Sequence, residues 1–300
     1  MTFFKYFIFT FIFSLNAQAS LKVMTTTSDL AALTKIIGQD HLEIFAVAKG
    51  TQDPHHIEAK PSFMVKFHNA DLVVSQGLEL ESAWLDPLIT GARNPKIAQG
   101  TQGFLELGSQ LNPLEVPTGV VSRAQGDVHP GGNPHFQLDP LRMGKAALII
   151  ADRLSQLQPE NKDEFQKHAK DFKTEIEKKT KLWQKRIQET GIKEIVTHHK
   201  TLTYFCSRFQ IKCDIQLEPK PGIPPTASHL LDVIHQMKEK HLKTIFIENY
   251  FDDDSPQKIK TQISNISVDR VPVSVGGEPE IQTLEQLYER LISAVEKAAQ

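Results

Sequence analysis

The chain has 300 residues, with 34 basic and 36 acidic side chains and a formal net charge of −2 at pH 7. This near-neutral balance, without a run of basic residues, argues against nucleic acid as the partner. About 280 residues follow a predicted N-terminal signal, which is enough for two lobes of ordinary size with good cores.

Residues 1–19 are predicted to be a secretory signal that is removed. Lys5 gives a positive start, residues 6–15 form an apolar stretch, and Ala17-Gln18-Ala19 matches a small-x-small cleavage site before Ser20. The apolar stretch is too short for a membrane span, so stable membrane insertion is not expected. No cysteine follows the cleavage site, and a lipid anchor is therefore not expected either. The sequence predicts an exported, periplasmic protein.

The first half of the mature chain alternates strand and helix patterns. Ser28 is predicted to cap a helix that runs to Ile37, and Asp139-Pro140 is predicted to open another, with Asp139 as the N-cap. A third helix is expected over residues 81–89, and residues 107–132 are expected to form a surface loop. The predicted strands are residues 21–26, 42–48, 70–75 and, more briefly, 95–98.

One long polar helix is predicted over residues 160–190. A single face of it carries the apolar side chains Phe165, Ala169, Phe172, Ile176, Trp183 and Ile187. A helix of this length spans about 46 Å and can run the full height of two stacked lobes. A dimerising coiled coil is the competing interpretation, but one isolated stripe more simply packs on its own domains. A monomer is therefore expected.

The second half repeats the alternation. Strands are predicted at residues 194–197, 213–217, 244–248 and 268–274, with helices at 200–209, 228–240, 255–263 and 283–298, the second of these capped by Ser228. The fold class is therefore α/β, with two lobes built on parallel sheets and joined by one long interlobe helix. The predicted divisions are 20–158 for the N-terminal lobe, 159–190 for the linking helix and 191–300 for the C-terminal lobe.

Cys206 and Cys213 are the only cysteines. An oxidising compartment permits them to pair and close a small loop between a helix end and the next strand. Two unpaired thiols are an equally good interpretation. Neither cysteine lies beside the histidines in sequence, so a thiolate metal ligand is not expected.

Three of the twelve histidines stand in separate segments that suit metal binding. They are His55 in Asp53-Pro54-His55-His56, His135 in Gly132-Asn133-Pro134-His135, and His199 in Thr197-His198-His199. Neutral imidazole is a common ligand for first-row transition metals, and three imidazoles suit zinc better than calcium or magnesium. Adjacent residues of an extended chain point opposite ways, so each His-His pair is expected to offer one ligand.

The remaining histidines are expected to be inert. His129 lies in the long loop and could recruit metal weakly, although a plain polar loop residue is the more economical interpretation. The others fall on helices or short turns among charged neighbours and are expected to be solvated: His41, His68, His168, His229, His235 and His241.

The candidate ligands sit where parallel sheets usually bind their ligands. In an open parallel sheet, ligands collect outside the carboxyl ends of the strands. His199 comes two residues after a predicted strand, His55 lies in the loop after another, and Glu248 ends a third. Their convergence on one cleft between the lobes is therefore expected.

The chain resembles the metal-specific solute-binding proteins of ABC importers, the cluster A-I (cluster 9) group that delivers zinc or manganese. The matching pieces run in order almost from end to end of the mature chain: Asp53-Pro54-His55 followed by Pro61-Ser62; residues 132–140, Gly-Asn-Pro-His-Phe-Gln-Leu-Asp-Pro; His199 with Tyr204-Phe205; residues 218–225, Glu-Pro-Lys-Pro-Gly-Ile-Pro-Pro; and Val275-Gly276-Gly277. The second piece is the most specific.

The resemblance implies that His55, His135 and His199 bind the metal directly. A histidine at the third position looks like the zinc type of site, whereas a glutamate there, with an aspartate as fourth ligand, looks like the manganese type. Zinc is therefore the favoured cargo and manganese the alternative, with a membrane permease as partner. The family's frequent aspartate after the last strand is replaced by Ser274. Glu248 or a water is left as the fourth ligand. A carboxylate or carbonyl is expected to hold the other nitrogen of each ring, and Asp53, Glu58 and Asp139 are the candidates.

Two further expectations come from the same comparison of motifs. The family's zinc importers often carry a loop rich in histidine and acid, but residues 107–132 hold only His129, Glu115 and Asp127 as such donors. Metal scavenging by this loop is therefore not expected. A zinc hydrolase is the rival class, because three histidines and an open position also suit catalysis. No His-Glu-x-x-His or Gly-x-Ser-x-Gly pattern occurs, so the protein is predicted not to be an enzyme.

Overall fold

The computed structural model describes residues 20–119, 121–122 and 125–300. The predicted signal, residues 1–19, lies outside this range. The strands are β1 (Leu21–Thr25), β2 (Leu42–Ala46), β3 (Leu72–Ser75), β4 (Phe104–Glu106), β5 (Glu194–Thr197), β6 (Lys212–Gln216), β7 (Thr244–Glu248) and β8 (Ser267–Val271). The helices are α1 (Ser28–Gly38), α2 (Pro61–His68), α3 (Leu85–Ala92), α4 (Pro140–Leu157), α5 (Lys162–Thr190), α6 (Thr203–Phe209), α7 (Ala227–Glu239), α8 (Asp254–Lys260) and α9 (Leu284–Ala298).

The strands form two four-stranded sheets with the same order. The first is β2-β1-β3-β4 and the second β6-β5-β7-β8, and every neighbouring pair is parallel. In each sheet the first strand along the chain lies between the second and the third. The order in which strands are added to the sheet therefore reverses after the second strand. The α/β class with two parallel sheets and a long connecting helix is confirmed.

Strand side chains alternate between two cores. In β3, Leu72 and Val74 face a large central cluster, whereas Val73 faces a smaller cluster with Phe67 and Trp84. In the second sheet, Phe246 joins the central cluster, and its chain neighbours Ile245 and Ile247 pack with α7 residues on the other face. Because residues two apart share a face, each sheet is covered on both sides.

Helix α5 has 29 residues and a length of about 44 Å. It packs along α1, α4 and α9, and five residues of the predicted stripe lie in the central core, with Phe172 half-buried against it. Thr180 fills the gap of seven between Ile176 and Trp183, and its hydroxyl donates to the carbonyl of Ile176 at 2.6 Å. The apolar face of α5 is therefore buried by other elements of the same chain.

Several predicted elements are wrong in detail. Pro95–Ile97 is a short 3₁₀ helix rather than a strand, because the Asn94 side chain accepts from the N–H of Lys96 and turns the chain. The strand that pairs with β3 is Phe104–Glu106, inside a segment without an alternating pattern. The helix predicted from residue 81 begins at Leu85, and α2 was not predicted at all. None of the helices in the described part of the chain combines the length and apolarity that a bilayer crossing requires.

Contacts between the two halves surround α6. The Asp139 carboxylate is fully buried and accepts from Nε and Nη2 of Arg208, each at 2.8 Å, and also pairs with Arg142. Cys206 and Cys213 form a disulfide that ties α6 to β6, with Cα atoms 6.2 Å apart. This helix follows His199 directly, so the linkages restrain the segment that carries the third histidine.

Candidate metal centre

Strand register brings His199 and Glu248 together. Thr197 at the end of β5 pairs with Phe246 in β7, so His199 and Glu248, each two positions further along, both lie at the carboxyl end of the second sheet. His199 retains 5% of its exposure and Glu248 only 1%. The carboxyl end of the second sheet therefore supplies one imidazole and one carboxylate at adjacent points.

His135 is held by a hydrogen-bonded turn at the carboxyl end of the first sheet. The Asn133 side-chain oxygen accepts from the backbone N–H of His135 at 2.9 Å, and the Asn133 amide donates to the carbonyl of Lys200 at 3.0 Å. Gln76, which follows β3, donates to the carbonyl of Pro134 at 2.8 Å. Asn133 and Pro134 thus fix the backbone of His135 against both halves of the molecule.

His55 lies nine residues beyond β2, in a loop that is held at several points. The indole N–H of Trp84 donates to the carbonyl of Pro54 at 2.9 Å. Asp53 accepts from the backbone N–H of His55 at 2.9 Å and also contacts its Nδ1 at 2.7 Å. The Asp53-Pro54-His55 motif therefore positions both the backbone and the ring of the histidine.

The three imidazoles meet between the two halves. Ring centroids are 5.2 Å apart for His55 and His135, 5.5 Å for His55 and His199, and 5.7 Å for His135 and His199. One ring nitrogen from each lies within 4.8 Å of the others. Tetrahedral zinc with bonds of about 2.05 Å separates its nitrogen ligands by about 3.3 Å, so modest side-chain movement closes the group around an ion.

Buried polar atoms without partners concentrate at this point. Nε2 of His55, Nε2 of His135 and both carboxylate oxygens of Glu248 are inaccessible to solvent and make no hydrogen bond. A buried acceptor left unpaired costs about 1–3 kcal/mol, which a native site rarely retains without reason. A cation held by the three histidines would satisfy both nitrogens, whereas Glu248 lies outside the group of donors that are within 4.8 Å of one another.

Carboxylates orient two of the rings. Nδ1 of His199 lies 2.7 Å from Oε2 of Glu218, as Nδ1 of His55 does from Asp53. A ring that donates its Nδ1 proton to a carboxylate keeps the Nε2 lone pair for a metal. Asp53 was predicted for this role, but Glu218 was missed, although the Glu-Pro-Lys-Pro-Gly piece begins with it. Oε2 of Glu218 also accepts from the backbone N–H of Gly222, at 2.9 Å.

The other two carboxylates predicted to orient the rings do not do so. Glu58 lies at the surface, 3.7 Å from the ammonium group of Lys60. Asp139 binds two arginines and caps α4 by accepting from the N–H of Leu141. Its buried charge requires close cations, which the neighbouring helices supply.

The surroundings shift the pKa values of His135 and His199 in opposite directions. Burial lowers the pKa of His135 well below its usual range, and the charges of His55 and His199 lower it further. Burial alone would lower the pKa of His199 too, but the hydrogen bond and charge of Glu218 raise it. For Glu248, burial raises the pKa and the charge of His199 opposes the rise. His135 is thus held as the neutral imidazole that metal binding requires.

Each His-His pair places one ring in the group of three. His198 stacks on Phe251 with centroids 4.3 Å apart, and His56 has an exposed side chain. Of the six histidines predicted to be solvated, three are exposed (His68, His235 and His241) and three are half-buried (His41, His168 and His229). Four of them also make hydrogen bonds: His41 to Glu164, His68 to the carbonyl of Ala92, His168 to the carbonyl of Ile37 and His229 to the carbonyl of Gln216.

His129 is not the plain loop residue that was expected. Its ring stacks on His55 with centroids 5.4 Å apart, and its Nε2 is buried without a partner. This placement could not be predicted from the sequence, because the surrounding loop has no periodic pattern.

Several curated relatives are similar to the chain over most of its length. A manganese ABC transporter substrate-binding lipoprotein, PsaA of Streptococcus pneumoniae, is 27% identical over 263 residues, which cover 85% of this chain and 80% of the relative. A metal ABC transporter substrate-binding lipoprotein, FimA of Streptococcus parasanguinis, is 27% identical over 261 residues with the same coverage.

Solved structures share the fold. The laminin-binding adhesin Lmb of Streptococcus agalactiae superposes with a TM-score of 0.79 at 23% identity, covering 94% of this chain and all of that one. A crystal structure of ZnuA gives a TM-score of 0.75 at 21% identity, covering 93% and 98% of the two chains. The cadmium-bound periplasmic metal-binding protein of Candidatus Liberibacter asiaticus gives 0.76 at 22% identity, covering 93% and 100%.

A family model provides the assignment. The model of ZnuA, described as the periplasmic component A of the zinc-uptake complex, matches residues 23–298. This range contains both sheets, α5 and every residue of the group described above. The protein therefore belongs to the ZnuA family, whose members are substrate-binding components of metal ABC transporters and not enzymes.

Proposed function

We propose that the protein captures Zn²⁺ with His55, His135, His199 and Glu248 and delivers it to the membrane permease of an ABC importer. One observation carries the proposal. Three imidazole nitrogens lie within 4.8 Å of one another, and Nε2 of His55 and Nε2 of His135 are buried without a hydrogen-bond partner.

Zinc suits this set of donors. Three neutral nitrogens and one carboxylate oxygen form the four-coordinate, tetrahedral set that Zn²⁺ adopts in proteins. Mn²⁺ is the weakest binder of the divalent series and depends more on oxygen donors and higher coordination numbers. With Glu248 as the fourth ligand, the ion would be enclosed by both halves of the molecule.

Manganese is the second candidate. The PsaA proteins of several streptococci are named as manganese-binding components, and they resemble this chain over most of its length. Glu218 and Glu248, which both interact with His199, add oxygen donors that would help Mn²⁺. The histidine at position 199 favours zinc over this alternative.

Binding requires only small movements of the protein. Asp53 and Glu218 fix the Nδ1 protons of His55 and His199, so each Nε2 lone pair is available to the ion. Helix α5 packs on helices of both halves, and bending it would break backbone hydrogen bonds, so wide opening of the cleft is disfavoured. Movement of the loops at the strand ends would therefore admit and release the ion.

The place of action and the partners follow from the same proposal. Export through the predicted signal, residues 1–19, would put the mature chain in the periplasm, where a permease could receive the metal. We propose that it acts as a monomer divided as 20–158, 159–190 and 191–300, since the stripe of α5 is already packed within the chain. Nucleic acid is not among the proposed partners.

Metal analysis of the purified mature protein tests the proposal. Native mass spectrometry should show one zinc per chain, and zinc should displace manganese in competition titrations. His55→Ala, His135→Ala and His199→Ala should each reduce zinc affinity by at least about 100-fold, since a direct ligand matters at least as much as its supporting groups. His235→Ala, at a side chain that is 73% exposed on α7, is the matched control. Unchanged zinc affinity in all three variants would refute the site, and preferential manganese binding would establish the second candidate.

A further inference from the structure

A buried carboxylate outside the metal centre lies just beyond β3. Glu81 retains 2% of its exposure, and its two oxygens accept from the backbone N–H groups of Gln76 at 2.7 Å and of Gly77 at 3.0 Å. Both of these partners are uncharged, and burying a carboxylate without a cation is costly. The carboxylate of Glu81 therefore acts on the backbone that leaves β3.

This backbone is strained. We call residues 76–81 the β3 turn, in which Gly77, Leu78 and Glu79 have φ values of 83°, 54° and 67°, all in the left-handed region. The left-handed conformation costs a residue with a side chain roughly 1–2 kcal/mol, which applies to Leu78 and Glu79. Such strain persists only where the surrounding structure holds it, and it clusters at ligand-binding and switch regions. The bonds to Glu81 close the β3 turn and hold it in this shape.

The β3 turn contacts the loop that leads into His135 at two points. Gln76 is fully buried, and its side-chain amide donates to the carbonyl of Pro134 at 2.8 Å. At Gly131, a Cβ atom would lie 2.9 Å from Cδ2 of Leu78, so the leucine side chain packs closely on the glycine backbone. One polar and one apolar contact therefore connect the β3 turn to the residues just before His135.

We propose that Glu81 is a positioning residue for His135; this inference rests on the proposed function. The carboxylate fixes the shape of the β3 turn, and the β3 turn fixes the loop through Gln76 and Leu78. His135 retains only 2% of its exposure in a closely packed interior, so the position of its ring follows that of its backbone. Loss of the carboxylate would relax the β3 turn and let this ring move away from the other two histidines.

The ionised and protonated forms of Glu81 differ in this role. Burial raises the pKa of Glu81 from 4.5 to about 7, against hydrogen bonds from Thr26, Gly77 and Gln76 that lower it. The carboxylate accepts from both backbone N–H groups, whereas the hydroxyl oxygen of the acid is a donor and a poorer acceptor. Support for the β3 turn is therefore present above pH 7 and is lost as the pH falls through this value. The other charged side chains that line the cavity beside Glu81 are those of Glu79, Asp86, Glu106 and Arg153.

Glu81→Gln tests the proposal, because glutamine has the shape of the protonated acid at every pH. Competition titration should show about tenfold weaker zinc binding than in the unaltered protein at pH 8, the lower end of the loss expected when a group that supports a metal ligand is removed. The ratio should shrink to about twofold at pH 6, since a group with a pKa of about 7 is then nine-tenths protonated. Protonation of the histidines weakens both proteins alike and cancels in the ratio.

Asp71→Asn is the matched control. Asp71 immediately precedes β3, at the opposite end of the strand, and its carboxylate also accepts from a backbone N–H group, that of Lys22 at 3.1 Å. Asp71→Asn should bind zinc as tightly as the unaltered protein at both pH values.

Gln76→Met tests the path from Glu81 to the loop. Methionine removes the amide that donates to Pro134 and leaves the backbone N–H that donates to Glu81. Gln76→Met should also weaken zinc binding. The double variant with Glu81→Gln should lose less binding free energy than the sum of the two single losses, because both changes act through one contact. Urea denaturation at both pH values identifies any variant that fails to fold.

Three results would overturn the proposal. Zinc affinity of Glu81→Gln equal to that of the unaltered protein at pH 8 would show that Glu81 does not position His135. A loss of the same size at pH 6 and pH 8 would show that the charge of the carboxylate plays no part. Additive losses in the double variant would show that Glu81 does not act through Gln76. If the unaltered protein binds no zinc, the proposed function itself fails, which the titration shows before any variant is made.

Discussion

The two halves of the molecule share a strand order but deliver their metal-binding groups differently. In the second half, His199 and Glu248 emerge directly from the ends of two paired strands, β5 and β7. In the first half, His55 and His135 stand on loops, many residues along the chain from the preceding strand, and each loop is held by side-chain hydrogen bonds. The second half relies on strand register, and the first half relies on polar contacts.

The metal-binding side chains of the two halves are positioned by different kinds of contact. Strand register is stabilised by the core beneath it, so the placement of His199 and Glu248 follows from the fold itself. The loop of His135 is fixed by Asn133, which bonds to the backbone of Lys200 in the other half. The ligands on loops therefore keep their positions only while the two halves stay in contact. The contacts between the halves thus help to position the metal-binding side chains.

The largest expected effect tests that junction. Asp139→Ala would remove the fully buried carboxylate that binds Arg208 and Arg142, leaving two half-buried guanidinium groups without this partner. Breaking a buried pair typically costs 3–5 kcal/mol, and we expect the free energy of unfolding to fall by about that amount.

Urea denaturation of the metal-free protein measures the change. Asp171→Ala is the control, because Asp171 forms an exposed i,i+4 pair with Lys167 that should be worth less than about 1 kcal/mol. A loss for Asp139→Ala no larger than for this control would mean that the ion pair does not hold the halves together.

A second contact between the halves carries a pH signature. Asp29 in α1 is fully buried and accepts from the N–H of Val275, and burial raises its pKa from 3.8 to about 6. The folded state therefore binds more protons than the unfolded state between these values, so the contribution of Asp29 to stability falls as pH rises through this window.

Asp29→Asn should remove this dependence. The amide oxygen can still accept from Val275, while the oxygen that lacks a partner, Oδ2, is replaced by an uncharged group. The stability of the variant relative to the unaltered protein should rise between pH 4 and pH 7 by up to roughly 3 kcal/mol, since each pKa unit corresponds to about 1.4 kcal/mol. Chemical denaturation across this range measures it, and a difference that does not vary with pH would contradict the assignment.

The third prediction compares the halves directly, through the carboxylates that orient their histidines. Glu218→Gln should lower zinc affinity by about 10–100-fold, the usual effect of losing a group that orients a metal ligand. Asp53→Asn should fall at the lower end of that range, because Asp53 is 22% exposed and water can replace it, whereas Glu218 is 6% exposed. Competition titration gives both values.

Glu58→Gln is the control for this pair. Glu58 was an equal candidate from the sequence, yet it lies at the surface beside Lys60. A loss of affinity at Glu58 equal to that at Glu218 would show that net charge near the cleft, and not ring orientation, governs binding.

The positions of His199 and Glu248 could be predicted from the sequence better than those of His55 and His135, because strand patterns are local and loop contacts are not. Apolar runs before His199 and at Thr244–Glu248 predict buried parallel strands, and adjacent strand ends bring those residues together. For His55 and His135, the motif resemblance was needed, because loop conformation depends on distant partners such as Gln76 and Trp84. No local sequence pattern predicts such contacts.

The same reason explains what the sequence did not provide. Glu218 was missed because its bond to His199 joins residues nineteen positions apart through a turn with no periodic signal. The burial of His129 was not predicted, because its placement depends on the hydrogen bond from the N–H of Asp127 to the carbonyl of Pro221. Strand β4 has only three residues, too few for an alternating pattern to register.

The smallest expected effect concerns helix starts, where both halves depart from prediction in the same direction. Ser28 and Ser228 were expected to cap α1 and α7, but the hydroxyls that accept the free backbone N–H groups belong to Thr27 and Thr226. A cap residue adopts an extended backbone before the first helical turn, and both threonines do so, with ψ values of 159° and 157°. Thr226→Ala should therefore cost about 1 kcal/mol of unfolding free energy, whereas Ser228→Ala, at an exposed position inside the first turn, should change it by less than about 0.5 kcal/mol. Urea denaturation of the two variants side by side decides between the caps, since the reverse order would place the helix start two residues later.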